Sequence, residues 1–179
     1  MDIDLTREVQ AALTFQEYGG GATIDGATHT PLRKHRSLEG SFMELLRLSE
    51  AGDAEGHEGF AVRQVSISHA APGRINAFHI HPKRVQDELW CVIQGELRVW
   101  LIDCRAGSPT EGARLQALLS GEAPGLLHIP SGVAHGYQAG TEGALLIYAM
   151  NDQFRIDDPN EGRLPWDHFG TELWDVDRG

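Results

Sequence analysis

Cysteine is nearly absent from this chain. Cys91 and Cys104 are its 2 cysteines in 179 residues, and they form no CxxC pair. That excludes a disulfide-dense secreted scaffold and a thiolate zinc cluster. The two thiols are expected to be buried and reduced, in a cytoplasmic protein. Long apolar runs are missing as well. No stretch approaches the roughly 18 residues of a membrane span, and Met1–Gln10 lacks the pattern of a signal peptide. Positive charge is scarce: 15 Lys and Arg stand against 26 Asp and Glu, a formal charge of −11. This argues against nucleic acid and anionic membranes as partners, although a local basic pocket for an anionic small molecule stays compatible with it. Internal repeats and low-complexity tracts are also absent.

What is present is glycine and proline, 21 and 8 residues, punctuating short apolar segments with enough hydrophobic content (41%) for a core. Asp4 or Thr6 can cap a short helix to about Leu13, with Leu5, Val9 and Leu13 on one stripe. Gly19-Gly20-Gly21 ends regular structure there, and Ala51–Gly59 reads as a polar loop. From Phe60 the period changes to two: Val62, Gln64, Ser66 and Ser68 alternate with Arg63, Val65 and Ile67. Glu88–Ile93, Gln94-Gly95-Glu96 and Leu97–Asp103 predict a hairpin with Gly95 at positive φ. Leu97, Val99 and Leu101 fall on one face, Arg98, Trp100 and Ile102 on the other. Leu126–Ile129, a Pro-Ser-Gly turn, Ala134–Ala139 and Ala144–Met150 continue the strands. The pattern predicts an all-β barrel or jelly roll with short flanking helices. It divides into an N-terminal extension (1–31), a β-barrel (32–164) and a tail (165–179) that packs Trp166 and Trp174.

The chemistry-bearing residues cluster by spacing. His79 and His81 are two apart, so a strand points both the same way. Glu88 follows, and His135 comes just after Pro130-x-Gly132. Three imidazoles and one carboxylate suit one divalent ion, with Mn, Fe, Ni and Zn all compatible. His128 is read as a non-ligand, and His29, His35, His57, His69 and His168 as surface residues. Tyr148 is a candidate acid, with Tyr137 a second phenol. Candidate substrate contacts are Gln64, Ser68, Arg74, Asn76, Trp90 and Arg105. Each also admits a plain structural role, Asp103 and Arg105 as a polar pair at a strand end.

These motifs resemble the cupin superfamily, whose usual metal ligands match His79-x-His81, Glu88 and His135; the fold implied is a double-stranded β-helix. More closely, the chain resembles dTDP-4-dehydrorhamnose 3,5-epimerases, built on the same jelly roll. The carrying segments are Glu39-Gly40-Ser41-Phe42-Met43-Glu44, Gln64-x-x-x-Ser68, His79, Asp103-x-Arg105-x-Gly107-Ser108-Pro109-Thr110-x-Gly112 and Ile129-Pro130-x-Gly132-x-Ala134-His135-Gly136-Tyr137. They span roughly Leu32 to Trp166. The resemblance makes His79 a general base. There are departures. Asn76 and Glu39 stand where the family carries Arg, Glu88 where it carries Lys, and His81 where it carries Gln. Gln153 and Phe154 lie near the place of its catalytic Tyr, and no Asp after Trp166 matches the one that pairs with its His.

The resemblance therefore implies an isomerase or epimerase acting on a keto sugar or related carbonyl compound, through an enediolate stabilised by metal. Its natural ligand would be a sugar or sugar nucleotide. The departures imply weak turnover of the family's usual substrate. If His79 ligates metal, its lone pair is not free to act as base, and the base becomes metal-bound hydroxide, Tyr148 or another group. A dioxygenase- or decarboxylase-type metal cupin and a non-catalytic ligand-binding cupin are the alternatives. A homodimer is expected from the β-rich segment Thr28–Arg36, which in the resembling family helps pair subunits.

Overall fold

The structure is a computed structural model that describes residues 3–15 and 21–175; Gly19, Gly20 and the last four residues of the tail lie outside the described residues. In chain order the elements are α1 (Arg7–Ala12), β1 (Thr28–Pro31), β2 (Lys34–Ser37), β3 (Gly40–Met43), β4 (Gln64–Ala70), β5 (Ile75–Ile80), β6 (Glu88–Asp103), β7 (Arg114–Ser120), β8 (Gly125–Ile129), β9 (Val133–Met150) and β10 (Gly162–Arg163). A 3-10 turn at Thr171–Trp174 follows. The main sheet runs β1-β8-β6-β9-β5-β10, with β4 also pairing β9 and β7 also pairing β6. β2 and β3 form a separate hairpin. This is the all-β double-stranded β-helix, with a sheet path that stays open rather than closing on itself.

The hairpin expected at Gln94–Glu96 does not form. β6 is one 16-residue strand, and the expected strands Ala134–Ala139 and Ala144–Met150 likewise merge into the 18-residue β9. The two run antiparallel from Glu88↔Met150 to Asp103↔Val133. Gly95 does take positive φ, 71°, but at a register shift instead of a turn. A Cβ at Gly95 would overlap the carbonyl oxygen of Gly143 on the facing strand. A bulge and a tight turn both call for glycine in this conformation, so local sequence does not separate them. The bend lets β6 pair β8 with its first half and β7 with its second.

The two faces of β6 enter different cores, as the alternation predicts. Leu97, Val99 and Leu101 are fully buried in the main core with Trp90, Leu127 and Leu146. Ile102 packs with Phe78, Leu173 and Trp174. Burying each such side chain stabilises by about 1.5–3 kcal/mol. Leu89, Cys91 and Phe60 form a third cluster under the segment that carries Met43, Leu45 and Leu46. β4 is inverted relative to an ordinary surface strand: Val65 and Ile67 are 56% and 68% exposed, while Gln64, Ser66 and Ser68 turn inward.

Burial holds the Cys91 thiol up to about 11, whereas Cys104 is exposed, contrary to expectation, because it follows the last residue of β6. Both thiols are free. Thr6 caps α1 by accepting from the Val9 amide at 3.4 Å, but α1 buries no residue. Strand pairing in the main sheet begins at Thr28, inside the segment read as an extension. In the tail Trp174 is buried against Phe78, while Trp166 is 47% exposed and contributes its carbonyl oxygen to the Trp174 indole N–H. No described helix is long and apolar enough to cross a membrane.

Candidate active site

The inward polar residues of β4, residues Asn76 and His79 of β5, the start of β6 and the two end portions of β9 enclose a cavity of about 310 Å³. Gln64, Ser68, Asn76, His79, His81, Glu88, Trp90, His135, Tyr137 and Tyr148 all line it. The sequence thus locates most of the wall. Arg105 is elsewhere: its guanidinium binds the buried Asp103 carboxylate at 2.8 Å and the Asp25 carbonyl at 2.8 Å, which fixes the turn after β6 and corrects its reading as a substrate contact. Arg74 borders a neighbouring hollow instead. His128 faces Asp87 at 3.4 Å, away from the cavity.

Two histidine systems share the cavity. In the first, His79 Nδ1 lies 3.0 Å from Glu161 Oε1, and His79 Nε2 lies 3.1 Å from Asn76 Oδ1. Glu161 reaches His79 because β10 pairs with β5, setting Arg163 opposite His79 and Gly162 opposite Ile80. The hydrogen bond from His79 holds the Glu161 carboxyl below its ordinary value, against burial. With Nδ1–H donated to Glu161, Nε2 carries the lone pair. Once Nε2 takes a proton, Asn76 Oδ1 is placed to accept from it.

The second system is His81, Glu88 and His135, all buried, with one potential ligand atom from each lying within 4.8 Å of the other two. Glu88 Oε1 is 3.0 Å from His81 Nε2, and Oε2 is 3.8 Å from His135 Nε2. Trp90 Nε1–H donates to Glu88 Oε2 at 2.6 Å, and Gln86 Nε2 donates to Oε1 at 3.3 Å. Burial pushes the Glu88 carboxyl up, but the His81 hydrogen bond, the two histidines and Trp90 outweigh it and bring the carboxyl down to about 2. His135 is held down to about 4 by burial, and its Nδ1 faces the Val133 carbonyl at 3.0 Å, so Nε2 presents a lone pair. For His81, burial is overcome by Glu88, and its pKa is raised. His79 lies outside this group. It stacks on His135 at 5.9 Å between ring centroids, but its nitrogens have other partners. The expected four-ligand set is therefore three residues plus a separate histidine–carboxylate pair.

Gln86, Asn160 and Glu161 escaped sequence reasoning. Asn160 is buried, and its side-chain oxygen accepts from the Lys83 and Arg84 amides at 2.8 and 3.1 Å. Its side-chain nitrogen donates to Arg84 O and Gln86 Oε1, both at 3.1 Å. Its backbone oxygen faces His81 Nδ1 at 3.3 Å. Adjacent residues Asn160 and Glu161 thus orient both histidine systems. The lone signal for them is polar text in an unpatterned loop, which carries no pairing information.

A jelly roll whose interior cavity holds a histidine–carboxylate pair suits a sugar-modifying enzyme as well as a ligand-binding shell, and comparison with known proteins resolves the choice. Residues 22–172 match the dTDP-4-dehydrorhamnose 3,5-epimerase family. The spore coat polysaccharide biosynthesis protein SpsL of Bacillus subtilis is 41% identical over 145 residues, 80% of this chain and 91% of that one. The dTDP sugar isomerase of Desulfovibrio desulfuricans superposes with a TM-score of 0.71 at 25% identity, covering 87% of this chain and 92% of that one. The dTDP-6-deoxy-D-glucose-3,5-epimerase of Legionella pneumophila, in complex with dTDP-4-keto-L-rhamnose, gives 0.71 and 25% over 88% and 80%. The chain belongs to the dTDP-4-dehydrorhamnose 3,5-epimerase family. It is an enzyme of the isomerase or epimerase type.

Proposed function

We propose that this protein epimerises or isomerises a keto sugar carried on a nucleotide, with His79 as the general base. The observation that carries the reading is the His79–Glu161 pair, 3.0 Å apart, facing a cavity of sugar size. His79 Nε2 removes a proton from the carbon next to the sugar carbonyl. Glu161 holds the imidazolium through Nδ1–H, and Asn76 accepts from Nε2–H. The C–H electron pair moves into the carbonyl, giving an enediolate, and return of a proton to the opposite face inverts the centre. Tyr148, on the same cavity wall, is the proposed donor of that proton: burial raises its pKa, so the phenol stays protonated at neutral pH. It stands in for the family phenol, whose place falls near Phe154 on the same cavity wall. The test is deuterium uptake into dTDP-4-keto-6-deoxyglucose in D2O, followed by NMR. Exchange next to the carbonyl supports the reading; no exchange with this or other 4-keto sugar nucleotides overturns it.

His81, Glu88 and His135 favour a second element, one divalent ion in the cavity. Ligand bonds of about 2.0–2.2 Å put neighbouring donor atoms about 3–3.5 Å apart on an ion; His81 Nε2 and Glu88 Oε1 stand 3.0 Å apart and Glu88 Oε2 and His135 Nε2 3.8 Å, so the three side chains would draw slightly closer to hold one. The Nδ1 atoms of both histidines face carbonyl oxygens, which turns Nε2 lone pairs toward Glu88. Such an ion supplies a Lewis acid for the substrate carbonyl. Because His79 is not among these ligands, its lone pair is free to act as base with or without metal. A homodimer is the proposed assembly. Phe42 on the β2–β3 hairpin is 67% exposed, and Val65 and Ile67 leave apolar surface on β4. Light scattering is expected to give twice 19.6 kDa; the monomer mass at micromolar concentration refutes it.

A further inference from the structure

His79 Nε2 faces the side-chain amide of Asn76, whose oxygen accepts hydrogen bonds and whose nitrogen donates them. The amide sets Oδ1 at 3.1 Å from Nε2. Turned over, it would aim Nδ2–H at the Nε2 lone pair and occupy the base. The Nδ2 partner, the Tyr137 hydroxyl at 3.4 Å, does not choose between the two orientations, because a hydroxyl both donates and accepts. Arg163 does choose. Its Nη1 donates to Asn76 Oδ1 at 3.2 Å, and a guanidinium has no acceptor atom, so the turned amide would set two donors face to face.

We infer that Arg163 is a positioning residue for the proton abstraction: it locks the Asn76 amide with its oxygen toward His79 and so keeps the Nε2 lone pair free. This rests on the reading of His79 as the base. Arg163 reaches these groups because β10 lies on β5. It is the cross-strand partner of His79, and the Phe78–Leu164 backbone bonds, 3.1 and 3.0 Å, fix that register. Two cross-strand partners project from the same face. Arg163 Nε also contacts Glu161 Oε1 at 3.2 Å, the oxygen that pairs with His79 Nδ1. One guanidinium thus bridges the groups that meet the two ring nitrogens of His79.

In the resting ring the Nε2 lone pair and Oδ1 face each other with no proton between them. The contact becomes a hydrogen bond when Nε2 takes the proton of the substrate. The gain arises as the proton moves and not in the ground state, so it raises kcat rather than affinity. Without Arg163 the amide is free to turn, and an Nδ2–H···Nε2 bond must then break before the base can act. The Arg163 side chain is 58% exposed. Solvent and salt screen its charge at such a position, so its effect on His79 is one of geometry.

A double-mutant cycle on deuterium exchange into a 4-keto sugar nucleotide tests this. Arg163→Met keeps the stem and loses the donors; Asn76→Leu keeps the shape and has neither amide end. Arg163→Met is expected to lower kcat by about tenfold, the size of one hydrogen bond that must first break, with KM nearly unchanged. Arg163→Lys, which keeps a donor without an acceptor, is expected to recover part of the loss. In the Asn76→Leu background Arg163→Met is expected to cost nothing further, because no amide is left to turn. Wild-type kcat in Arg163→Met, a rise in KM at unchanged kcat, or the same cost of Arg163→Met in both backgrounds overturns the lock. A substrate-free measurement separates this from failure of the reaction itself. Nitrogen NMR of the neutral His79 ring, assigned with His79→Gln, is expected to show Nε2 as a free lone pair in the wild type and as a hydrogen-bond acceptor in Arg163→Met. Identical spectra overturn the lock whether or not exchange occurs. A wild type without exchange, whose spectra still change in Arg163→Met, overturns the base role of His79 and leaves the amide lock standing.

Discussion

Replacing His79 with Gln lowers the rate of deuterium exchange into a 4-keto sugar nucleotide by about 10²–10⁴-fold, the usual contribution of a positioned general base. The introduced amide occupies similar space and can still hydrogen-bond Asn76, but it has no lone pair basic enough to take the proton. Affinity for the sugar nucleotide should change little, because His79 contributes to the transition state more than to ground-state binding. Glu161→Gln is the companion experiment. It keeps the shape but loses the charge 3.0 Å from Nδ1, so the imidazolium formed in the reaction is less stabilised. The expected signature is a fall in kcat with KM nearly constant, and partial recovery in Glu161→Asp. A His79→Gln protein that exchanges at the wild-type rate would transfer the base role to another group, with Tyr148 the next candidate in the cavity.

Glu88→Ala should give the largest loss of stability of any single change in the site, about 3–5 kcal/mol by chemical denaturation of the metal-free protein, the range for breaking a buried ion pair. Both partners are buried. Removing the carboxylate leaves the His81 ring and the Trp90 N–H without their acceptor. Glu88→Gln, which can still accept from Trp90, should lose less. The pH dependence follows from the two shifts. Glu88 has its folded pKa lowered from 4.5 to about 2, so its contribution is complete above about 4.5 and lost as pH falls through about 2. His81 is raised above 6.5, so its contribution is complete below 6.5 and lost as pH rises through the raised value. The gap between wild type and Glu88→Ala should therefore be widest between about pH 4.5 and 6.5.

The same substitution tests the ion. Metal must displace the proton shared by His81 and Glu88, so affinity should rise with pH through the titration of His81. Elemental analysis after loading should give near one ion per chain in the wild type and near none in Glu88→Ala or His81→Ala. His79→Gln should retain the ion, because His79 is bound to Glu161 and Asn76. Equal occupancy in wild type and the two ligand variants would remove the metal from the cavity and leave the His79–Glu161 chemistry standing alone.

Much of the fold was determined by the sequence alone. Alternation along Leu97–Ile102 assigned its two faces to two cores, and the Gly/Pro punctuation placed the chain among jelly rolls, because both are local properties of a two-residue period. Spacing also put His79 and His81 on one wall, with Glu88 and His135 near by. Only the tertiary structure decided how these residues divide. β10 is two residues long and has no pattern of its own, yet its pairing with β5 brings Glu161 to His79 and Arg163 beside it. That contact joins residues far apart in the chain, and no local period encodes it. The same holds for Gly95. Its positive φ was legible, but whether the chain turns back there or only bends depends on Gly143 of β9 packing against it. Arg105 was open to two readings, a substrate contact or the polar partner of Asp103 at the strand end, and the structure gives the second, since a buried carboxylate must be matched by a charge or hydrogen bonds.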